Sequence, residues 1–121
     1  MKQIYCDVML EKFSNNENDI IFSFYDNFGN TLQDIKCKNV MCMNYSNSLP
    51  ENEDVFPCLV LNVEVELIDP QNISEQLNYM KYGFSLNNNP VIPISNKYWH
   101  LIIEGGPIYV EVICSNIIFD K

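Results

Sequence analysis

The 121-residue chain carries sixteen Asp and Glu against seven Lys, has no arginine, and has a formal charge of −9. That balance excludes a phosphate-reading role, because nucleic-acid binders draw their affinity from cationic contacts, and it disfavours anionic membranes on the same ground. It suits a basic protein partner, whose encounter an acidic field accelerates.

The length fits one domain over residues 1–121, enough to bury roughly two-thirds of the surface of the unfolded chain. Residues 3 to 13 alternate, with Ile4, Cys6, Val8 and Leu10 on the core side and Tyr5, Asp7, Met9 and Glu11 on the other, as in a half-buried strand. Ser14 to Asp19 is polar and reads as a loop. Asp19 to Asp26 follows as a strand with Ile20, Phe22 and Phe24 in register, so an antiparallel hairpin is expected. Asn27-Phe28-Gly29-Asn30 signals a turn into a longer strand from about Leu32 to Tyr45, whose periodicity breaks near Asn39 and Val40, where a bulge resolves the conflict.

Ser46 to Asp54 is a loop carrying Glu51, Glu53 and Asp54, without the spacing or glycine of a calcium loop. Val55 to Asp69 reads as a strand with Leu59, Leu61, Val63, Val65 and Leu67 inward and Asn62, Glu64 and Glu66 on the opposite face. The one helix expectation covers about residues 72–82: Asn72 as cap, Glu75 three residues on, Ile73, Leu77 and Met80 on one stripe, and Gly83 as terminator. Asn87 to Pro93 breaks regular structure.

Lys97 to Lys121 forms two apolar arms about Gly105-Gly106, which pairs Ile103 with Ile108, Leu101 with Val110 and Trp99 with Val112 on the core face. Tyr98, His100, Ile102 and Glu104 then share the other face with Tyr109, Glu111 and Ile113, and His100 stands across from Glu111. The segments Ile35 to Val40 and Val112 to Ile117 repeat one pattern: apolar, x, Cys, x, Asn, apolar.

Cys6, Cys37, Cys42, Cys58 and Cys114 are odd in number and lack C-x-x-C spacing, which points to buried free thiols and a reducing, cytoplasmic setting. The N-terminus has no apolar block of a signal peptide and no run has the length of a membrane span. His100 is the only histidine, no metal-ligand cluster stands out, and no cofactor motif is present, so neither a cofactor nor an enzymatic role is expected. What remains is acid interleaved with Tyr25, Tyr98, Tyr109 and Tyr5, the chemistry of a protein-binding patch.

With its Asn-rich β pattern and its ending YWHLIIEGGPIYVEVICSNI, the chain resembles the small cytosolic immunity proteins of bacterial contact-dependent inhibition and other polymorphic toxin systems. That resemblance implies an inhibitor that binds a cognate basic toxin, commonly a nuclease. The expected fold is mainly β, an antiparallel sheet or sandwich built from hairpins with one short α-helix. The residues expected to meet the partner are Glu51, Glu53, Asp54, Glu64, Glu66, Tyr98, His100, Glu104, Tyr109 and Glu111. A second reading is a small-ligand module whose apolar pocket is lined by Phe22, Phe24 and Trp99; a third is an enzyme using His100.

Overall fold

In the computed structural model, residues 2–48, 55–73, 75, 85–86, 89–90 and 97–120 are described. The long strands are β1 (Lys2–Asn16), β2 (Asp19–Tyr25), β3 (Asp34–Asn47), β4 (Cys58–Ile68), β7 (Tyr98–Gly105) and β8 (Ile108–Asp120). They pair antiparallel in the order β1-β2-β3-β8-β7-β4, and β4 returns to β1, closing a six-stranded barrel. The two-residue strands β5 (Ser85–Leu86) and β6 (Asn89–Pro90) form a separate pair.

The expected mainly β, antiparallel architecture is present, and its sheet is closed into a barrel. Bulges supply the curvature, since each increases local twist and bends its strand. They fall between Gln3 and Tyr5, between Leu10 and Lys12, between Val60 and Asn62, and between Val40 and Cys42, while Asp7 and Asn39 adopt positive φ of 53° and 52°. The break expected near Asn39 is therefore a bulge.

The interior is filled by Leu10, Phe22, Phe24, Ile35, Val60, Val63, Leu101, Ile103, Val110 and Val112, all essentially inaccessible. Burying a side chain of this size stabilises by about 1.5–3 kcal/mol relative to exposure. Phe13 closes one end against Phe22, Tyr45 and Phe56, with ring centroids 5.4–5.6 Å apart. Because Phe22 and Phe24 are consumed by this packing, neither presents a wall to a ligand; Trp99 packs partly buried against the same core.

Several face assignments are corrected. On β1 the positive φ at Asp7 switches parity, so Tyr5 and Val8 point inward while Cys6 is exposed; the Tyr5 ring lies 5.2 Å from Phe24. The opposing strand switches in step: Val60 and Val63 are core, pairing with Val8 and Tyr5. Leu59 and Leu61 consequently face outward, and Leu67, past the last β1 partner of β4, is half exposed. Ser14 to Asn16 are not loop but the projecting end of β1, joined to β2 through Glu17 and Asn18.

Near the expected helix, Pro70–Asn72 form a 3-10 turn whose cap is Asp69, accepting from the Gln71 N–H, rather than Asn72. The remainder of residues 72–82 falls for the most part outside the described residues. Among the described residues no helix is long and apolar enough to cross a membrane.

The two repeated segments lie on neighbouring strands and pair with each other: Cys37 with Ile117, Lys38 with Asn116, and Val40 with Cys114. A local two-fold exchanges the segments. The Asn39 amide donates to Ser115 Oγ, which donates to the Lys38 carbonyl, and the Cys37 and Cys114 thiols meet in the core. Contact with Cys114 and then burial push the Cys37 thiol up. Cys58 is raised by burial alone.

Two turns are tied by carboxylates. Asp19 accepts from the Lys38 ammonium and from Asn39 N–H, and Asp26 from the Asn30 amide and the N–H groups of Asn30 and Phe28. The Lys38 hydrogen bond chiefly holds Asp19 below its ordinary value of 3.8, and the Asn30 side chain does the same for Asp26. A depressed folded-state value contributes stability above the unfolded value that is lost as pH falls through the folded one. Asp19→Asn is therefore expected to lower the urea midpoint at pH 7, with the gap to the parent closing below pH 3.8. A gap that stays constant into acid would show that the carboxylate charge is not its source.

Candidate functional site on the outer wall

The outward faces of β4, β7 and β8 form one wall. Its cross-strand rows are Asn62, Glu104 and Tyr109; Glu64, Ile102 and Glu111; Glu66, His100 and Ile113; and Ile68 with Tyr98. β3 extends them through Ser46 beside Tyr109, Asn44 beside Glu111 and Cys42 beside Ile113. All seven described residues expected to meet a partner therefore share this wall. Glu51, Glu53 and Asp54 lie outside the described residues.

They do not lie at one depth. Glu66 and Glu104 are exposed, Glu64 is half-buried and Tyr109 lies at the surface. Tyr98, His100 and Glu111 are buried, at 4%, 6% and 5% exposure, although they point out of the barrel. Tyr98 belongs to a second apolar cluster on this face, with Ile68, Ile73 and Ile113 and with Met41 and Cys42 packed against it, and His100 pairs with its member Ile113. As a surface feature, then, the expected ten-residue patch reduces among the described residues to Glu64, Glu66, Glu104 and Tyr109.

The hairpin register also differs from the expected one. The turn centres on Gly106-Pro107, so each pairing moves by two residues: Leu101 faces Val112, Ile103 faces Val110 and His100 faces Ile113. Parity is preserved, which is why the inner face is as expected. His100 and Glu111 are diagonal neighbours, with Nε2 3.4 Å from Oε2, and neither atom has a hydrogen-bond partner among the described residues. The other carboxylate oxygen, Oε1, accepts from the Tyr109 hydroxyl. Burial first, and then the charge of Glu111, push the Cys42 thiol up.

The Asn62 amide donates to Glu64 Oε1 at 2.6 Å and its carbonyl accepts from Gln3, so Asn62 orders the carboxylate row. No Lys occurs on β4, β7 or β8, which carry Glu64, Glu66, Glu104, Glu111 and Asp120. The wall is thus uniformly acidic. Tyr5, turned into the core, and Tyr25, paired with Met9 on another wall, take no part in it.

The contribution of β3 was not visible in the residues, because pairing across more than sixty positions leaves no local signal. Ser48 N–H donates to the Pro107 carbonyl at 2.9 Å, bringing Ser46, Asn47 and Ser48 against the β7–β8 turn. An open depression of about 330 Å³ lies there, with Glu104 and Tyr109 on its other side. Among the described residues no group of three or more His, Cys, Asp or Glu is placed to hold a metal ion.

One protein-family model, whose description reads only "-like", matches residues 3–121. The chain belongs to that family. The description names no activity, so membership assigns neither a partner nor a chemistry. No curated protein matches the sequence.

Proposed function

We propose that the protein is an acidic inhibitor of the immunity type, acting in the cytoplasm by direct binding to a basic toxin. The observation that carries this reading is the outer wall of β4, β7 and β8, where exposed Glu66 and Glu104 flank half-buried Glu64 and no Lys intervenes. Like charges gathered on one rigid surface are unfavourable to one another, and an oppositely charged surface relieves that repulsion. The barrel supplies a fixed platform, so little ordering entropy opposes docking. An inhibitor of a cationic nuclease needs nothing more than this: a surface that covers the phosphate-binding groove with carboxylates. On this reading His100 is a buried structural residue rather than a catalytic one.

Capture on the tagged chain from its own cells, at low and then high salt, is expected to recover one stoichiometric basic protein whose retention weakens with salt. With that protein in hand, Glu64→Lys with Glu66→Lys is expected to lower the association rate about tenfold or more at low ionic strength, the two rates converging at high salt. Co-expression of the parent chain should restore growth to cells making the captured protein, and the double variant should not. Unchanged association rates and an unchanged salt dependence would remove this wall from the proposal.

A further inference from the structure

Building on the inhibitor reading, we propose that the depression beside the β7–β8 turn is a socket for a single arginine side chain of the basic partner. Its volume, about 330 Å³, sits at the lower limit of ligand clefts, which run roughly 300–1,000 Å³. That is room for one side chain.

Each wall offers something a guanidinium uses. The Tyr109 ring is held against the wall by its own hydroxyl, which donates to the buried Glu111 carboxylate, so its face is already oriented for a planar cation. Glu104 is the direct cross-strand neighbour of Tyr109, which puts the two Cβ atoms about 5 Å apart and the carboxylate beside the ring. On the other flank Ser46 pairs directly with Tyr109, and Asn47 and Ser48 continue the lining beside the turn. The Ser48 to Pro107 hydrogen bond pins this flank to the turn.

At Gly106 even an added Cβ would meet nothing within 4 Å, so the approach is open. The charged β3 residue on this side, Lys38, is eight positions from Ser46, about 27 Å along the strand, and is already paired with Asp19. That separation exceeds the Debye length of about 8 Å at physiological salt, so the field in the depression is set by the carboxylates. Acceptors spread around an aromatic face match the five-donor fork of arginine better than the point charge of lysine.

The test is an NMR titration of the intact chain with Ac-Gly-Arg-Gly-NH2, with the lysine peptide and the uncharged citrulline peptide as comparisons. Saturable shifts are expected at the amides of residues 46–48 and 105–109, weaker with lysine and absent with citrulline. Glu104→Gln and Tyr109→Leu should each weaken the arginine peptide about two- to fivefold. Glu104 is exposed, so its variant keeps the fold even if the Tyr109 variant does not. Shifts that fail to saturate, that spread evenly over the acidic wall, or that are equal for citrulline overturn the socket. If the socket fails while the Glu64 and Glu66 reversals still slow association, the inhibitor reading stands without it; if both fail, the basic partner is itself wrong.

Discussion

Replacing His100 by Leu is expected to destabilise the barrel by about 3–5 kcal/mol, while His100→Leu combined with Glu111→Leu returns to within about 1 kcal/mol of the parent or exceeds it. His100 Nε2 and Glu111 Oε2 are 3.4 Å apart and buried, and neither has a hydrogen-bond partner among the described residues. Removing the imidazole leaves a buried carboxylate whose hydrogen-bond partner among the described residues is the Tyr109 hydroxyl. Removing both polar groups replaces them with apolar volume beside Ile113 and Tyr98, which already form an apolar cluster on that face. Urea denaturation of the parent, the two single variants and the double variant closes the cycle, and a coupling energy near zero would show that the two groups do not sense each other. The same set separates stability from function. The double variant loses the anchor that orients Tyr109, so partner binding should weaken even where the barrel is as stable as before.

Gly105→Ala is expected to cost about 1–3 kcal/mol or more, the range for forcing volume into a packed site. A Cβ at Gly105 would overlap the Leu59 carbonyl oxygen and lie 3.2 Å from Val60 Cα. Both are backbone atoms of the neighbouring strand, so no side-chain rotation relieves the contact, and β4 and β7 must part where Val60 pairs with Gly105. Gly106→Ala is the control. Nothing lies within 4 Å of its added methyl, and its effect should stay within about 0.5 kcal/mol. Thermal unfolding of the two variants side by side decides the point: equal midpoints would mean that the close approach of the strands at Gly105 is soft.

The hairpins, the inward residues of β2 and β8 and the bulge near Asn39 and Val40 were legible because each is encoded locally, by alternation or by its interruption. The face of β4 was not. A strict two-residue period puts Leu59, Leu61 and Leu67 inside, but the positive φ at Asp7 and the β4 bulge between Val60 and Asn62 switch both strands together, and the unbroken apolar run Leu59-Val60-Leu61 leaves no gap in the pattern to reveal the switch. The turn of the last hairpin was read one residue too early, at Gly105-Gly106. The glycine at 105 serves a close strand approach, and Gly106-Pro107 makes the turn. The candidate wall was legible as a set of residues sharing a face, since that follows from parity. Its depth was not, because Tyr98 packs with Ile68, Ile73 and Met41, which arrive from distant parts of the chain and leave no local signal of burial.

Strand order carries a consequence for synthesis. β8 is the last long strand made, yet it lies between β7 and β3 and pairs along nearly the whole of β3. Until it leaves the ribosome, β3 has only its three pairs with β2, and the β1–β4 seam closes a cylinder that still lacks a wall. A nascent chain therefore exposes Met41, Met43 and the apolar interior of β4 until β8 has emerged, and barrel closure waits on that strand and is dominated by distant contacts. Its exposure to chaperones and proteases during synthesis is set by the time until β8 emerges rather than by the stability of the finished barrel.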